Sequence, residues 1–320
     1  MALDLLSDAL AMSHLTGASI FRIDVNGPWG MLSLPNANQL ARALPAVTNH
    51  IIVFHVVLEG ECWCRLHQRE WFRIPTGHAV VLTQGDQHEL ADQPGRITIP
   101  FDQTLGGRSM FDLRRERYDT GPGPHSSILC GFLGCDRRAF ESLFRSLPAH
   151  FTTSIERRSK ALLEYAANEA LEDRPGADTL RVRMAELLFM EALSMYMQSL
   201  PPSASGLLAG LRDPLVGRAL QSLHEAPDRA WSVETLAADI DSSRSNLARR
   251  FREVIGEPPM HYLARLRMQR AALYLASRAC SVDRIATDVG YESSAAFQRA
   301  FKRHFGVPPA TWRQKSHTTA

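Results

Sequence analysis

Two stretches near the C-terminal end decide how this chain is read: SRSNLARRFREVIGEPP, Ser243–Pro259, and SSAAFQRAFKRHFGVPP, Ser293–Pro309. Each begins with Ser, carries an apolar residue four and eight positions later, and closes on Gly-x-Pro-Pro, with every position offset by 50. Ser243 and Ser293 are suited to cap helices, because a Ser oxygen accepts from the orphan N–H groups of a first turn. The spacing puts Leu247, Phe251 and Val254 on one buried face of the first helix, and Phe297, Phe301 and Phe305 on that of the second.

Each of these helices has a smaller one before it. In WSVETLAADI, Val233, Leu236, Ala237 and Ile240 share a face, Ser232 is the N-cap and Glu234 adds a charge suited to the helix start. Asp241-Ser242 then form a turn. In the second copy Ser281 caps VDRIATDV, with Val282, Ile285, Ala286 and Val289 inward, and Gly290 supplies the left-handed turn conformation that costs most residues energy. Asp241 stands near the equivalent turn and also tolerates that conformation. Two helices joined by a tight turn make a helix-turn-helix, here built twice. Between the copies, Met260–Ser277 reads as a helix of about 27 Å at ~1.5 Å per residue. With its flanking turns this strut holds two recognition helices about one DNA turn, ~34 Å, apart.

Subtracting the inward positions leaves Arg244, Ser245, Ala248, Arg249 and Arg252 on one reading face, and Ser294, Ala295, Gln298, Arg299, Lys302 and Arg303 on the other. The N-terminal part of a recognition helix meets bases, so Arg244, Ser245, Arg249, Ser294, Gln298 and Arg299 are the expected base readers. Arg pairs two ways with guanine and Gln with adenine. Arg252, Lys302 and Arg303 sit further along and are expected on phosphates.

The totals agree. The 320 residues are 45% hydrophobic with a net charge of +2, enough for two domains of a globular protein. From Leu207 onward there are 17 Lys/Arg against 11 Asp/Glu, leaving 19 against 23 before it, so the C-terminal third is +6 and the rest −4. A basic module attached to something else fits a polyanion binder. No apolar run reaches the ~18 residues of a transmembrane helix. The start, MALDLLSDALAMSHL, reads as a short amphipathic helix with acids where a signal peptide needs bases. Five cysteines, Cys62, Cys64, Cys130, Cys135 and Cys280, are an odd number that argues against a secreted disulfide framework. A cytoplasmic protein is expected, without membrane association.

Residues 50–105 are rich in β-formers broken by Gly60, Gly77, Gly85 and Gly95, as in an antiparallel sandwich or barrel. After a poorly patterned stretch, SSILCGFLG reads as a further strand. From Asp136 the period turns helical through DRRAFESLFRSL, SIERRSKALLEYAANEALED and ADTLRVRMAELLFMEALSMYMQSL. The last is apolar nearly all round, which suits a helix buried on several sides, against its own barrel or a partner subunit. PPSASG is the linker candidate, and Asp213 with Pro214 starts the next helix. The fold class is therefore α+β: an N-terminal antiparallel β-barrel over 1–135, a helical dimerisation segment over 136–200, a linker over 201–212, and an all-α domain with two helix-turn-helix units over 213–315.

Trp231–Trp312 resembles the DNA-binding domain of AraC/XylS-type transcription regulators, and DRIATDVGYESSAAFQRAFKRHFGVPPATWR is close to that family's C-terminal signature. Asp241 stands where the family usually has Gly, and Ala248 is small for the reading face, so base preference does not carry over. FHVVLEGECWCRLHQREWFRIPTGHAVVLTQGDQHEL resembles the cupin-type sensor domain of this family. It is similar to the subgroup with FHxVxxGxxW, GDxxH and a later Cys-Gly, here His55, Gly60, Trp63, Gly85-Asp86, His88 and Cys130-Gly131. Reactive-chlorine-sensing regulators belong to that subgroup.

Cupin enzymes typically use a His-x-His pair for their metal, and none occurs here. Cys62 and Cys64 point one way from their strand and Trp63 the other. With His55, His88 and Cys130 on neighbouring strands, three readings stand side by side. One is a zinc or other soft-metal site drawing on Cys62, Cys64 and His88. Another is redox chemistry, with Cys130 a better disulfide partner for Cys62 or Cys64 than they are for each other. The third is thiols that simply fill the core. An organic effector walled by Trp63 or Trp71 is compatible with each. The whole reads as a transcription regulator and not an enzyme: a homodimer binding promoter DNA, controlled by a small molecule, oxidant or metal, with RNA polymerase as the partner the resemblance implies. The alternatives are a metal- or ligand-dependent cupin enzyme with an accessory DNA-binding module, and an architectural DNA-bending protein.

Overall fold

The computed structural model describes residues 15–34, 48, 50–67, 69–135, 141–168, 172–277 and 279–317. The amphipathic helix expected at the N-terminus falls on residues 1–14, outside the described residues, as does the start of the helix expected from Asp136. The chain divides into two compact units. One is Leu15–Cys135 with Leu147–Ser199; the other joins the described part of Asp136–Ser146 to Leu200–Ala320.

The first unit holds eleven strands: β1 (Leu15–Asn26), β2 (Gly30–Leu32), β3 (His50–Glu59), β4 (Cys62–Leu66), β5 (Phe72–Ile74), β6 (His78–Leu82), β7 (His88–Ala91), β8 (Ile99–Pro100), β9 (Arg115–Asp119), β10 (His125–Cys135) and β11 (His150–Ser154). They form two sheets, β11-β6-β3-β10-β1-β9 and β5-β4-β7-β2-β8. Pairing is antiparallel except for β1–β9 and β2–β8. Phe21, Ile23, Val57 and Ile128 of the larger sheet share one core with Cys62, Cys64, Leu66 and Leu90 of the smaller. The expected barrel is thus an open two-sheet sandwich, whose sheets meet through side chains.

Strand β10 is buried along nearly all its length. The helix Ala177–Ser199 packs on it and on β1, so a continuous apolar run suits it. Strand β1 escaped the sequence reading because its outer face carries charge. Arg22 Nε donates to Asp24 Oδ1 at 2.7 Å, Ser127 Oγ to the same oxygen at 2.7 Å, and Arg115 Nε to Asp24 Oδ2 at 2.8 Å. Three donors hold the Asp24 carboxyl below its usual range against the burial that would raise it.

The helices are α1 (Phe101–Thr104), α2 (Glu141–Phe144), α3 (Glu156–Ala167), α4 (Ala177–Ser199), α5 (Leu207–Arg212), α6 (Pro214–Glu225), α7 (Val233–Asp239), α8 (Arg244–Ile255), α9 (Pro259–Ser277), α10 (Val282–Asp288), α11 (Ser294–Phe305) and α12 (Pro309–His317). Helix α4 turns Ala185, Leu188, Phe189, Ala192 and Leu193 inward and leaves Leu187 47% exposed.

Two expectations for the middle of the chain need correcting. The segment 136–200 is not wholly helical: His150–Ser154 is a strand and pairs antiparallel with β6. The alternation of its Phe and two Thr is too short to stand out among helical neighbours. The linker assigned to 201–212 is only partly a connector: Leu207–Arg212 is a helix, and its Leu207 joins the core of the second unit. Leu207 N donates to Ser146 Oγ at 2.6 Å, and Gly206 N to Val254 O at 2.7 Å.

In the second unit α9 is the shared wall of two separate cores. Its Leu263 and Leu266 join Leu220, Leu236, Leu247 and Phe251. Its Met268, Ala271 and Leu275 join Ile285, Phe297, Phe301 and Trp312. Each expected cap is made: Asp213, Ser232, Ser243, Ser281 and Ser293 all accept from first-turn N–H groups. At about 1 kcal/mol each these caps fix where helices start. The turn residues are left-handed as the copies require, Asp241 at φ 53° and Gly290 at φ 82°.

Candidate functional site

The first candidate surface is the pair of recognition helices. On α8, Arg244, Ser245, Arg249 and Arg252 are exposed; on α11, Gln298, Arg299, Lys302 and Arg303 are exposed. Ser294 is half-buried and its hydroxyl donates to the Asp283 carboxylate, so it is less available to a base than expected. Gln298 Nε2 donates to Ser294 Oγ at 3.2 Å. Sequence reasoning missed Asn246, which is exposed on the first turn of α8 and accepts from Arg249 Nη2 at 3.2 Å.

Arg249 Nη1 also donates to Glu253 Oε1 at 2.8 Å, and Arg244 pairs with Glu234 at 2.7 Å. Exposed pairs of this kind contribute little in water, against about 1–3 kcal/mol for a bidentate base contact. They park the guanidinium groups without preventing their transfer to DNA. The arginines of α9 do different work. Arg267 donates to Pro227 O and Arg229 O, and Arg270 to His224 O, which ties α9 to the end of α6 and the loop after it.

The second candidate lies inside the sandwich. His55 and Cys130 are direct cross-strand partners on β3 and β10. His55 Nδ1 lies 3.2 Å from Cys130 Sγ, and His55 Nε2 lies 2.8 Å from His88 Nε2 on β7 of the other sheet. His88 Nδ1 is 2.9 Å from Asp86 O. A carbonyl only accepts, so His88 Nδ1 carries a proton and neutral His88 accepts at Nε2. His55 then donates from Nε2 and accepts at Nδ1, and the donor to it is the Cys130 thiol. One directed chain, Cys130 to His55 to His88 to Asp86 O, links the two sheets.

Burial keeps each member uncharged. It lowers His55 well below the ordinary histidine value, with His88 adding to the effect, and lowers His88 to about 4 against an opposing pull from Asp86. It raises the Cys130 thiol. Burial also raises Cys62, with Cys64 and Cys130 adding to it, and takes Cys64 to about 12.

His55, His88 and Cys130 line a cavity of about 70 Å³ walled by Phe21, Ile23, Leu90, Phe101 and Phe132. That is room for several waters or a molecule of about four or five heavy atoms, about half the ~150 Å³ of a cavity that holds benzene. Its half-buried lining includes Met31, Ser33, Gly85 and Asp86. Of the expected sensor residues, the structure brings these three together. Cys62 and Cys64 are buried in the surrounding core but do not line the cavity, and neither Trp63 nor Trp71 walls it. Trp71 instead stacks with Arg65 at 4.8 Å. Gly131 follows Cys130 because a Cβ there would lie 2.1 Å from Cζ of Phe54. Among the described residues no three or more His, Cys, Asp or Glu are arranged to hold a metal ion, so Cys62, Cys64 and His88 do not form one ligand set. No disulfide joins the five cysteines.

Comparison with known proteins gives these two units their family. A cupin family model matches residues 4–198 and a helix-turn-helix domain model residues 236–315. An AraC-like transcription regulator of Streptomyces antibioticus is 37% identical over 82% of this chain and 87% of its own. Another, from Streptomyces lividans, is 31% identical over the same shares. The RCS-specific HTH-type transcriptional activator RclR of Escherichia coli K12 is 27% identical over 83% of this chain and 85% of its own. The chain belongs to the AraC-type family of DNA-binding transcription regulators and carries a cupin sensor domain. Its relatives are transcription regulators and not enzymes, which sets aside the cupin-enzyme alternative. No helix among the described residues is long and apolar enough to cross a membrane.

Proposed function

We propose that this regulator receives its signal in the sandwich cavity, at the Cys130–His55–His88 chain, and answers by changing how its two recognition helices meet promoter DNA. The observation that carries the reading is that hydrogen-bonded chain. Among the described residues it is the one link of polar side chains in the cavity wall that spans both sheets, so anything that displaces one member disturbs the packing of both. In this reading Arg244, Ser245, Arg249, Gln298 and Arg299 meet base edges, Ser294 after release from Asp283, and Arg252, Lys302 and Arg303 hold phosphates. The protein acts in the cytoplasm as a homodimer, and the outward stripe of Leu180, Met184 and Leu187 on α4 supports that pairing. RNA polymerase is its partner at the promoter.

The similarity to the RCS-specific activator RclR supports an oxidant as the signal, with Cys130 the thiol in the cavity wall to receive it, and the apolar wall supports a small uncharged effector. Zinc is the weaker reading. The test is promoter binding by the full chain with and without oxidant, zinc and small apolar ligands, repeated with Cys62→Ser, Cys64→Ser and Cys130→Ser. The expected result is that Cys130→Ser alone abolishes the response. A response that survives Cys130→Ser and is lost in Cys62→Ser or Cys64→Ser contradicts the reading.

A further inference from the structure

The Cys130 thiol is not simply a core residue. It sits on the wall of a cavity, hydrogen-bonded to a histidine nitrogen that has no other partner among the described residues. That is the arrangement of a nucleophile beside its base. We infer that Cys130 captures small, uncharged, apolar electrophiles with an activated carbon–carbon double bond, such as enones and enals, as a covalent thioether. The inference rests on the reading of the cavity as the signal site and names the chemical class it takes.

The step balances without any oxidant. The Cys130 sulfur bonds to the β-carbon of the enone while its proton passes to His55 Nδ1. The π pair of the double bond moves onto the carbonyl as an enolate. The enolate then takes a proton at its α-carbon from the His55 imidazolium, which returns His55 to neutral. Overall, S–H has added across C=C. During the step His55 is briefly cationic, and its Nε2–H points at His88 Nε2. His88 in turn donates to Asp86 O, and the Asp86 carboxylate favours positive charge on His88. The charge is shared along the chain towards the half-buried rim.

Three features set the ligand class. The wall is aromatic and aliphatic, so an apolar body is accepted while a charged group would lose its hydration without a partner. The thiol is kept protonated by burial, so reaction depends on the base at 3.2 Å and not on a standing thiolate. Cys62 and Cys64 are buried away from the cavity, and so are not expected to compete. The adduct also removes the S–H donor that holds His55 Nδ1, which breaks the chain between the sheets at its first link.

The experiment uses the full chain carrying Cys280→Ser, which removes the half-buried thiol of the other unit. The probe is methyl vinyl ketone, an enone of five heavy atoms, with butanone as the saturated control and iodoacetate as a charged alkylator. Intact mass and peptide mapping follow the product. One enone adduct on Cys130 is expected, none with butanone, and little iodoacetate labelling until the chain is unfolded in urea. His55→Gln is expected to slow the adduct by about a hundred-fold, the size of a lost general base. Enone spread evenly over Cys62, Cys64, Cys130 and Cys135 overturns the proposal. So does an undiminished rate in folded His55→Gln. If that variant does not fold, the wild-type comparison decides: iodoacetate reacting at Cys130 in the folded chain as readily as enone overturns it. Promoter binding by the adduct separates the two claims. A Cys130 adduct with unchanged binding upholds capture and removes the regulatory reading. A binding response to oxidant or ligand with no enone adduct keeps the regulatory reading and overturns capture.

Discussion

The two helix-turn-helix copies share a plan and differ in what fills it. The first turns on Asp241, an exposed residue at φ 53°; the second turns on Gly290, where a Cβ would stand 2.7 Å from the Asp228 backbone. The first core includes a polar pin, with buried His224 Nε2 2.7 Å from Tyr262 Oη. The second is built from rings that meet tilted or edge-on: Phe297, Phe301, Phe305 and Trp312 touch in sequence. On the reading faces, Arg244 and Arg249 of the first copy are paired with Glu234 and Glu253. Arg299, Lys302 and Arg303 of the second make no ion pair among the described residues. The difference teaches that the spacing of caps and buried positions is what the duplication requires, while core chemistry and surface pairing are free to diverge.

The largest effect that can break this comparison is in the cores. Phe301→Ala is expected to cost about 3–5 kcal/mol, because Phe301 is fully buried and its neighbours are rigid rings. Urea denaturation of the full chain should show the second copy unfolding ahead of the first.

Acid should act in the opposite order. Burial, with Arg270 and Arg265 nearby, lowers His224 from 6.5 to about 4. The unfolded chain therefore takes up a proton at higher pH than the folded one. Stability from this group is complete above pH 6.5 and is lost as the pH falls through 4. The loss is roughly 3 kcal/mol at one pH unit per ~1.4 kcal/mol. Hydrogen exchange at pH 7 and pH 4.5 should show α6 and α9 near His224 loosening before the ring core. Equal loosening of both would remove the distinction.

Next in size are the readers. Arg249→Ala and Arg299→Ala are each expected to relax base preference in one half of the site by about 1–3 kcal/mol, measured by competition between operator variants. A uniform weakening across all sequences would mark them as phosphate contacts instead. The smallest effect is at the turn. Asp241→Gly should change stability by under about 1 kcal/mol, because Gly adopts the left-handed region freely but gives up chain entropy. Gly290→Asp should be far more damaging, since the space beside it is taken by backbone.

Much of the second unit was legible in sequence because its signals are local: five caps, two left-handed turns and a four-residue apolar spacing. The sandwich was legible only in part. Its central strands β3, β4, β6 and β10 announced themselves, but β1 did not, since Arg22 and Asp24 disguise a strand covered on both faces. Strand β11 is fixed by β6, a neighbour distant in sequence. The sensor residues were legible one by one. What sequence alone could not show was which belong together. His55 meets Cys130 by strand register and His88 by the approach of two sheets, whereas Cys62 and Cys64, on the same strand face, stay outside the cavity.

The central claim is that two copies of one device read DNA together, joined by α9. Guanine N7 protection on a promoter bound by the full chain tests it most directly. The predicted result is two major-groove patches about one helical turn, ~10 bp, apart, with Arg249→Ala erasing one and Arg299→Ala the other. A single patch, unaffected by either substitution, would contradict it.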